Sequence, residues 1–309
     1  MKRSNPPLLL HSLAKLNLYL RVLNKRRDNF HNLSTLFCRI DLADTIILKE
    51  RKDGAIKIKC KSRQVPKDKN NLCHRAAALL KQEFRLQNYG LQPNSQSHKL
   101  TSGIEIEIKK RIPVGAGLGG GSSNAASVLL GLNKYWSLNL SKTKLVKLAA
   151  ELGSDVPFFV ACEKFALGSR RGEEIRPLAS LKKLKLWFIL VCPDIKVSTP
   201  LIYSKFDRFS QLTRPEHDVK ILISELSKNG FRFKRGCLFN SLEPVTTGIY
   251  PVVDQVKKAL YGMGLEKVMM SGSGPAVFAI CDSQKQAGNL SARLRKKYKS
   301  WQVFASSAV

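Results

Sequence analysis

Pro113-Val114-Gly115-Ala116-Gly117-Leu118-Gly119-Gly120-Gly121-Ser122-Ser123-Asn124-Ala125-Ala126 is the stretch on which the reading of this chain turns. Five of the seven residues from 115 to 121 are glycine. Glycine reaches positive φ without a steric penalty, so successive backbone N–H groups can turn to one side and form a nest for an anion. Ser122 to Asn133 carries a helical pattern directly after the loop, and the free N–H groups and dipole of a helix N-terminus favour phosphate. Ser122 and Ser123 add hydroxyl donors. No Gly-Lys-Ser/Thr follows, which excludes a P-loop. Gly115-x-Gly117-x-x-Gly120 fits a dinucleotide fingerprint formally. However, the segment before it ends in Lys109-Lys110-Arg111-Ile112-Pro113, and no acidic strand end lies about 20 residues on. A helix terminus contributes only ~0.3–2 kcal/mol toward an anion. A polyphosphate held here therefore also needs lysines and a divalent cation, because phosphoryl chemistry depends on positioning and charge neutralisation.

Around the loop, 309 residues with 43% apolar and 25% charged side chains suit a globular chain of one large domain or two medium ones. The net charge of +30 implies attraction to anions. The basic residues are spread along the chain rather than gathered in a tail, as a solvated surface is, and most of them carry no function that the sequence shows. An RNA-binding protein is the alternative that this charge supports, but no basic patch interleaved with aromatics and no known RNA motif is present. The seven cysteines are scattered, contain no CxxC pair and are odd in number, which disfavours a disulfide framework or a metal site and points to a reducing cytoplasm. Trp136, Trp187 and Trp301 are dispersed and read as packing residues. Met1-Lys2-Arg3 before Leu8-Leu9-Leu10 hints at a signal peptide, yet Pro6, Pro7, His11 and Lys15 interrupt the apolar run. The longest apolar run, Leu186 to Cys192, is too short to span a bilayer, so no membrane partner is expected.

Leu16 to Val22 alternates like a half-buried strand and puts Lys15, Asn17, Tyr19 and Arg21 on one face. Further strands are expected at Ile46–Leu48, Ala55–Ile58, Ile104–Ile108, Leu184–Val191, Val268–Met270, Ala276–Ile280 and Trp301–Ala305. Helical spacing marks Asn71–Leu86, with Leu72, Ala76, Leu79, Leu80 and Phe84 as its apolar stripe. It also marks Ser141–Leu152, Val219–Lys228, Val252–Tyr261 and Lys285–Tyr298. Ser141 reads as an N-cap and Gly153 as a stop. The fold class is α+β, with a boundary near residue 167 that divides the chain into 1–167 and 168–309.

The glycine loop resembles the phosphate motif of the GHMP kinases. Four other segments resemble one branch of that family: Ala14-Lys15-Leu16-Asn17-Leu18, Phe30 to Phe37, Leu152 to Phe159, and Met270-Ser271-Gly272-Ser273-Gly274-Pro275-Ala276-Val277-Phe278. The matches run from residue 14 to about residue 280. The resemblance implies a two-domain α+β architecture with the active site in the cleft between the domains. It also implies ATP with Mg2+, and a small-molecule substrate, cytidine diphosphate methylerythritol, phosphorylated on its 2-hydroxyl in the non-mevalonate isoprenoid route. Another GHMP substrate (mevalonate, homoserine or a sugar) is the alternative within the family.

In the matching positions Asp155 takes the hydroxyl proton, with Lys15 as its partner. Pro113, Gly115, Gly117, Leu118, Gly119, Gly120, Gly121, Ser122 and Ser123 bind the nucleotide phosphates, and Asn71 and Lys110 lie near the adenine. Asn17, Phe30, His31 and Tyr203 meet the cytidine substrate, the aromatics by stacking and the imidazole at the base edge. The magnesium ligands are not legible, with Ser123 as a candidate or as a helix cap. Two positions depart from the family pattern. Phe30 replaces a usual Tyr, keeping a stacking face without the hydroxyl. Ala116 replaces a glycine and fits only if its φ is negative.

Overall fold

The structure is a computed structural model that describes residues 6–87, 103–209, 215–233 and 235–309. Met1-Lys2-Arg3 and the side chain of Phe84 lie outside the described residues. The chain forms two compact units, neither of them one continuous stretch. The first comprises Met1–Leu13, Ala43–Val114 and Gly119–Cys162; the second comprises Ala14–Leu42, Gly115–Leu118 and Glu163–Val309. Strands β1 (Leu8–Lys25) and β2 (His31–Arg51) run through both.

In the first unit Thr45–Arg51 of β2 pairs antiparallel with β4 (Gly103–Lys109), and β4 pairs parallel with β3 (Ile56–Cys60). The alternation of Ile104, Ile106 and Ile108, all buried, is that of a strand. Helix α1 (Leu72–Gln87) packs on α2 (Gly120–Tyr135), and α3 (Lys142–Leu152) and α4 (Val156–Ala161) close around α2. Ala76, Leu80, Ala125, Val128, Leu129 and Phe158 are buried in this unit. Ser141 caps α3 as its residue type predicts, its side chain accepting from Lys144 N at 3.2 Å.

The second unit is built on the antiparallel sheet β11 (Trp301–Ser307), β7 (Trp187–Pro193), β10 (Val277–Cys281) and β9 (Val268–Met270), in that order. The apolar run of β10 is buried along its whole length and that of β7 from Phe188 onward, as strands covered on both faces are. Helices α8 (Pro251–Tyr261) and α9 (Gln284–Lys297) pack on this sheet, with Val253, Val256, Leu260, Leu290 and Leu294 in the core. Thr35–Cys38 of β2 pairs with β5 (Phe165–Ser169), which pairs with β6 (Glu174–Pro177). Tyr19 and Leu20 of β1 pair parallel with β8 (Phe239–Asn240). The remaining helices are α5 (Thr199–Phe209), α6 (Val219–Asn229) and α7 (Glu243–Ile249).

One expectation is corrected. Residues 14 to 20 are buried on both faces, not on one, so Lys15, Asn17 and Tyr19 are interior groups. The polar face of the alternation therefore marks a buried polar network. Among the described residues no helix is long and apolar enough to cross a membrane.

None of the seven cysteines is in a disulfide. Cys38, Cys73, Cys192, Cys237 and Cys281 are buried and Cys162 is exposed. Burial pushes the Cys73, Cys192 and Cys281 thiols up to about 12, and raises Cys38 as well. The thiolate is the reactive form. Iodoacetamide on the native protein is therefore expected to label Cys162 first and the partly exposed Cys60 slowly. Peptide mapping that found label on the five buried thiols without denaturant would contradict this core.

Candidate active site

The glycine loop is built as its composition demands. Gly115, Gly117 and Gly119 have φ of 70°, 76° and 69°, whereas Ala116 does not have positive φ, so the departure from glycine there is tolerated. Gly117 is required twice over, because a Cβ at 117 would also lie 2.2 Å from Ser271 O. Ser271 Oγ donates to Gly117 O at 3.1 Å and accepts from Asn17 N at 3.3 Å, and Ala276 N donates to Ala116 O at 3.2 Å. Asn240 Nδ2 donates to Met270 O and Gly272 O, both at 2.8 Å. The C-terminal glycine motif is thus the seat on which residues 115 to 118 rest. The sequence marks the motif but gives no sign of this task, and it gives no sign of Asn240.

Helix α2 begins at Gly120 without a side-chain cap, leaving its first N–H groups to another acceptor. Lys110 lies beneath this end: its Nζ would be 3.1 Å from a Cβ on Gly120. The ammonium pairs with Asp44, a fully buried carboxylate that also accepts from Arg111 N at 2.7 Å and Ile112 N at 2.8 Å. Asp44 therefore fixes the segment entering the loop and the lysine below it. Ser123 is buried, 2.7 Å from Ser12 Oγ, which is also 2.7 Å from Asn124 Oδ1. Ser12 has one proton and the amide oxygen can only accept. With that proton given to Asn124, the Ser12–Ser123 contact uses the Ser123 proton and leaves the lone pairs of Ser123 Oγ available. Asn71 caps α1, with Oδ1 accepting from Cys73 N at 2.8 Å and Nδ2 donating to Pro66 O at 2.6 Å.

Lys15 is 4% exposed, yet its charge is well placed. Its Nζ donates to Asn17 Oδ1 at 2.6 Å and lies 5.3 Å from the Phe37 ring centre. Asn17 Nδ2 donates to Thr35 Oγ1 at 2.8 Å, and Thr35 donates on to Tyr19 O at 2.7 Å. Lys15 N donates to Leu118 O at 3.0 Å, so the lysine is tied to the loop through its backbone. Asp155 precedes α4 and makes no capping hydrogen bond to it. The sequence reads this position as a turn, because a six-residue helix is too short for a periodic signal.

His31 and Tyr203 are brought together, with ring centres 5.3 Å apart and planes inclined at 30°. Phe206 meets His31 edge-on at 6.4 Å, and His31 Nε2 is 2.5 Å from Asp207 Oδ1. Tyr203, Phe206 and Asp207 are spaced i, i+3, i+4 on α5 and so share one face. That spacing is the signal by which the last two were findable in the sequence. Lys25 Nζ donates to Asp207 Oδ2 at 2.6 Å. Burial works to raise the Asp207 carboxyl, but the hydrogen bonds from Lys25 and His31 outweigh it and hold the group below its usual value. Phe30 is 52% exposed, and its contact is with the Arg171 guanidinium, 5.0 Å over the ring.

Comparison with known proteins gives this geometry a family. The model of the GHMP kinases N terminal domain matches residues 71–163 and that of the GHMP kinases C terminal matches 216–300. A curated 4-diphosphocytidyl-2-C-methyl-D-erythritol kinase of Exiguobacterium sibiricum is 38% identical over 93% of this chain and 94% of its own. The chain belongs to the GHMP kinases. A protein of the same name from Bacillus pumilus is 39% identical over 91% of both chains. A crystal structure of 4-(cytidine 5'-diphospho)-2C-methyl-D-erythritol kinase superposes with a TM-score of 0.74 at 31% identity, over 97% of this chain and 98% of the other. The glycine loop lies within the residues that the N-terminal model matches, and the motif that seats it within those that the C-terminal one matches.

Proposed function

We propose that this GHMP kinase transfers the γ-phosphoryl of ATP to the 2-hydroxyl of 4-diphosphocytidyl-2-C-methyl-D-erythritol, a step in making isoprenoid precursors. The observation that carries this reading is the end-to-end match to kinases of that name at 38% identity. The boundary near residue 167 supplies the proposed division between the N-terminal and C-terminal domains, in keeping with the extents of the two family models. A chain with mostly buried thiols and no disulfide suits the cytoplasm, where we place its activity.

In this reading the phosphates of ATP lie along Pro113, Gly115, Gly117, Leu118, Gly119, Gly120, Gly121, Ser122 and Ser123, where N–H groups and the start of α2 offer positive potential. Lys110 adds its charge below Gly120, and Asn71 shapes the nucleotide side. Asp155 accepts the substrate hydroxyl proton, and Lys15, held by Asn17, supplies positive charge to the transfer. Asn17, Phe30, His31 and Tyr203 bind the substrate, His31 and Tyr203 through the cytosine. Mg2+ fits a site of this kind. Among the described residues no group of three His, Cys, Asp or Glu could hold a metal by itself. Magnesium instead takes substrate phosphates, water and one or two protein oxygens, of which Ser123 Oγ is the candidate. When bound, it neutralises charge on the transferred phosphoryl.

The test is ATP turnover with magnesium on four acceptors: the cytidine compound, mevalonate, homoserine and galactose. Turnover with the cytidine compound alone is expected. Turnover with one of the others instead would keep the family and discard the roles given to Phe30, His31 and Tyr203.

A further inference from the structure

The imidazole of His31 is buried, and its two nitrogens are treated differently. Nε2 lies 2.5 Å from Asp207 Oδ1, while Nδ1 has no hydrogen-bond partner among the described residues. Nδ1 is not one of the sealed side-chain atoms that lack a partner, which among the described residues are Glu173 Oε2 and Ser291 Oγ, so it is open to solvent and to a ligand. A carboxylate only accepts, so the proton of the neutral ring must sit on Nε2, and Nδ1 is left as a bare acceptor. Lys25 Nζ donates to the other oxygen of Asp207 and so compensates its charge. Tyr203 and Phe206 restrain the ring from one face and one edge. A neutral ring beside ionised Asp207 presents an acceptor at Nδ1, whereas an imidazolium would donate from both nitrogens.

We infer that Asp207 is a specificity-determining, positioning residue: by fixing the tautomer of His31 it makes Nδ1 an acceptor that selects the 4-amino group of cytosine. Uracil presents a carbonyl oxygen at that place, which would face a lone pair with no proton between them. The inference rests on the cytidine reading of the site and adds to it the source of the choice between the two pyrimidines. Asp207 touches only His31 and Lys25 in this account. It acts through them and has no part in the phosphoryl transfer.

Two measurements test this. The first is the ring-nitrogen resonances of 15N-histidine-labelled protein, which report the tautomer without any substrate. The Nε2–H form is expected for His31 in the parent chain. In Asp207→Asn, whose amide can turn its NH2 toward Nε2, the Nδ1–H form should appear. The second is kcat/KM for the cytidine diphosphate substrate against its uridine counterpart. Leaving one buried polar group unpaired is worth about tenfold to a hundredfold in discrimination. Asp207→Asn should narrow the preference for cytidine by about that factor, through KM of the cytidine substrate, with kcat and the KM for ATP little changed. Adding the same change to His31→Ala should do nothing further. Equal losses on both substrates, or an Nδ1–H tautomer in the parent chain, would overturn the inference while turnover of the cytidine compound keeps the functional reading. Turnover of neither compound would overturn the functional reading and the base-selection step with it.

Discussion

Asp155→Asn is expected to lower kcat by about 10²–10⁴-fold, the range that a positioned general base contributes. The dissociation constant for ATP should stay within a factor of about two, because the amide keeps the size of the side chain and one acceptor oxygen. The fold should also survive. Asp155 precedes the short helix α4 but makes no capping hydrogen bond to it, so an N-cap penalty of about 1 kcal/mol does not apply. That separation gives the measurement its value. A variant that binds ATP, melts at the parent temperature and turns over slowly identifies a chemical role. One that melts early would make Asp155 a structural residue, and unchanged turnover would remove it from the mechanism.

What the sequence shows and what it hides divide along a physical line. The loop from Pro113 to Ala126 was legible because glycine at this density has few uses, and the positive φ of Gly115, Gly117 and Gly119 is the use it was read for. Helices α3, α6, α8 and α9 were legible because each carries an apolar stripe at helical spacing between recognisable ends. Helix α5 was missed, since Thr199-Pro200 reads as a turn and its stripe is the short set Ile202, Tyr203 and Phe206. The extent of β2 was also missed. Its N-terminal half is half-buried and polar in places, and its period breaks where β5 pairs with it. Among the site residues, Lys15 and Asn17 were readable from alternation, but the burial of both faces around them was not, because it depends on strands distant in sequence. Asp44 carries no local signal, and Ser271 lies in a motif that the sequence marks without showing its task. Only the fold brings each to the backbone groups it satisfies.

Asp44→Ala is expected to be the most destabilising single change among these residues. The carboxylate is fully buried and holds three donors: the Lys110 ammonium and the N–H groups of Arg111 and Ile112. Alanine would leave a cation with little solvent access and two N–H groups without their acceptor. Removing one partner of a buried ion pair costs about 3–5 kcal/mol. At 2–4 °C for each kcal/mol in a chain of roughly 150–250 residues, that is a fall of about 10 °C in melting temperature, and this chain is somewhat longer. The KM for ATP should rise as well, since Arg111 and Ile112 lead directly into the glycine loop. The decisive comparison is between single and double changes. Asp44→Asn keeps an acceptor for the two N–H groups but opposes the ammonium with no charge. Lys110→Met then removes the cation that is left uncompensated. If the pair acts as a buried ion pair, Asp44→Asn with Lys110→Met should be more stable than Asp44→Asn alone, because losing both charges is close to neutral where losing one is not. If Lys110→Met only deepens the loss, the lysine stem is held by packing, and the role of Asp44 is confined to the two backbone groups. In either case the double variant separates stability from function. Melting recovered without recovery of the KM for ATP would mean that the charge of Lys110 below Gly120 serves the nucleotide as well as the fold.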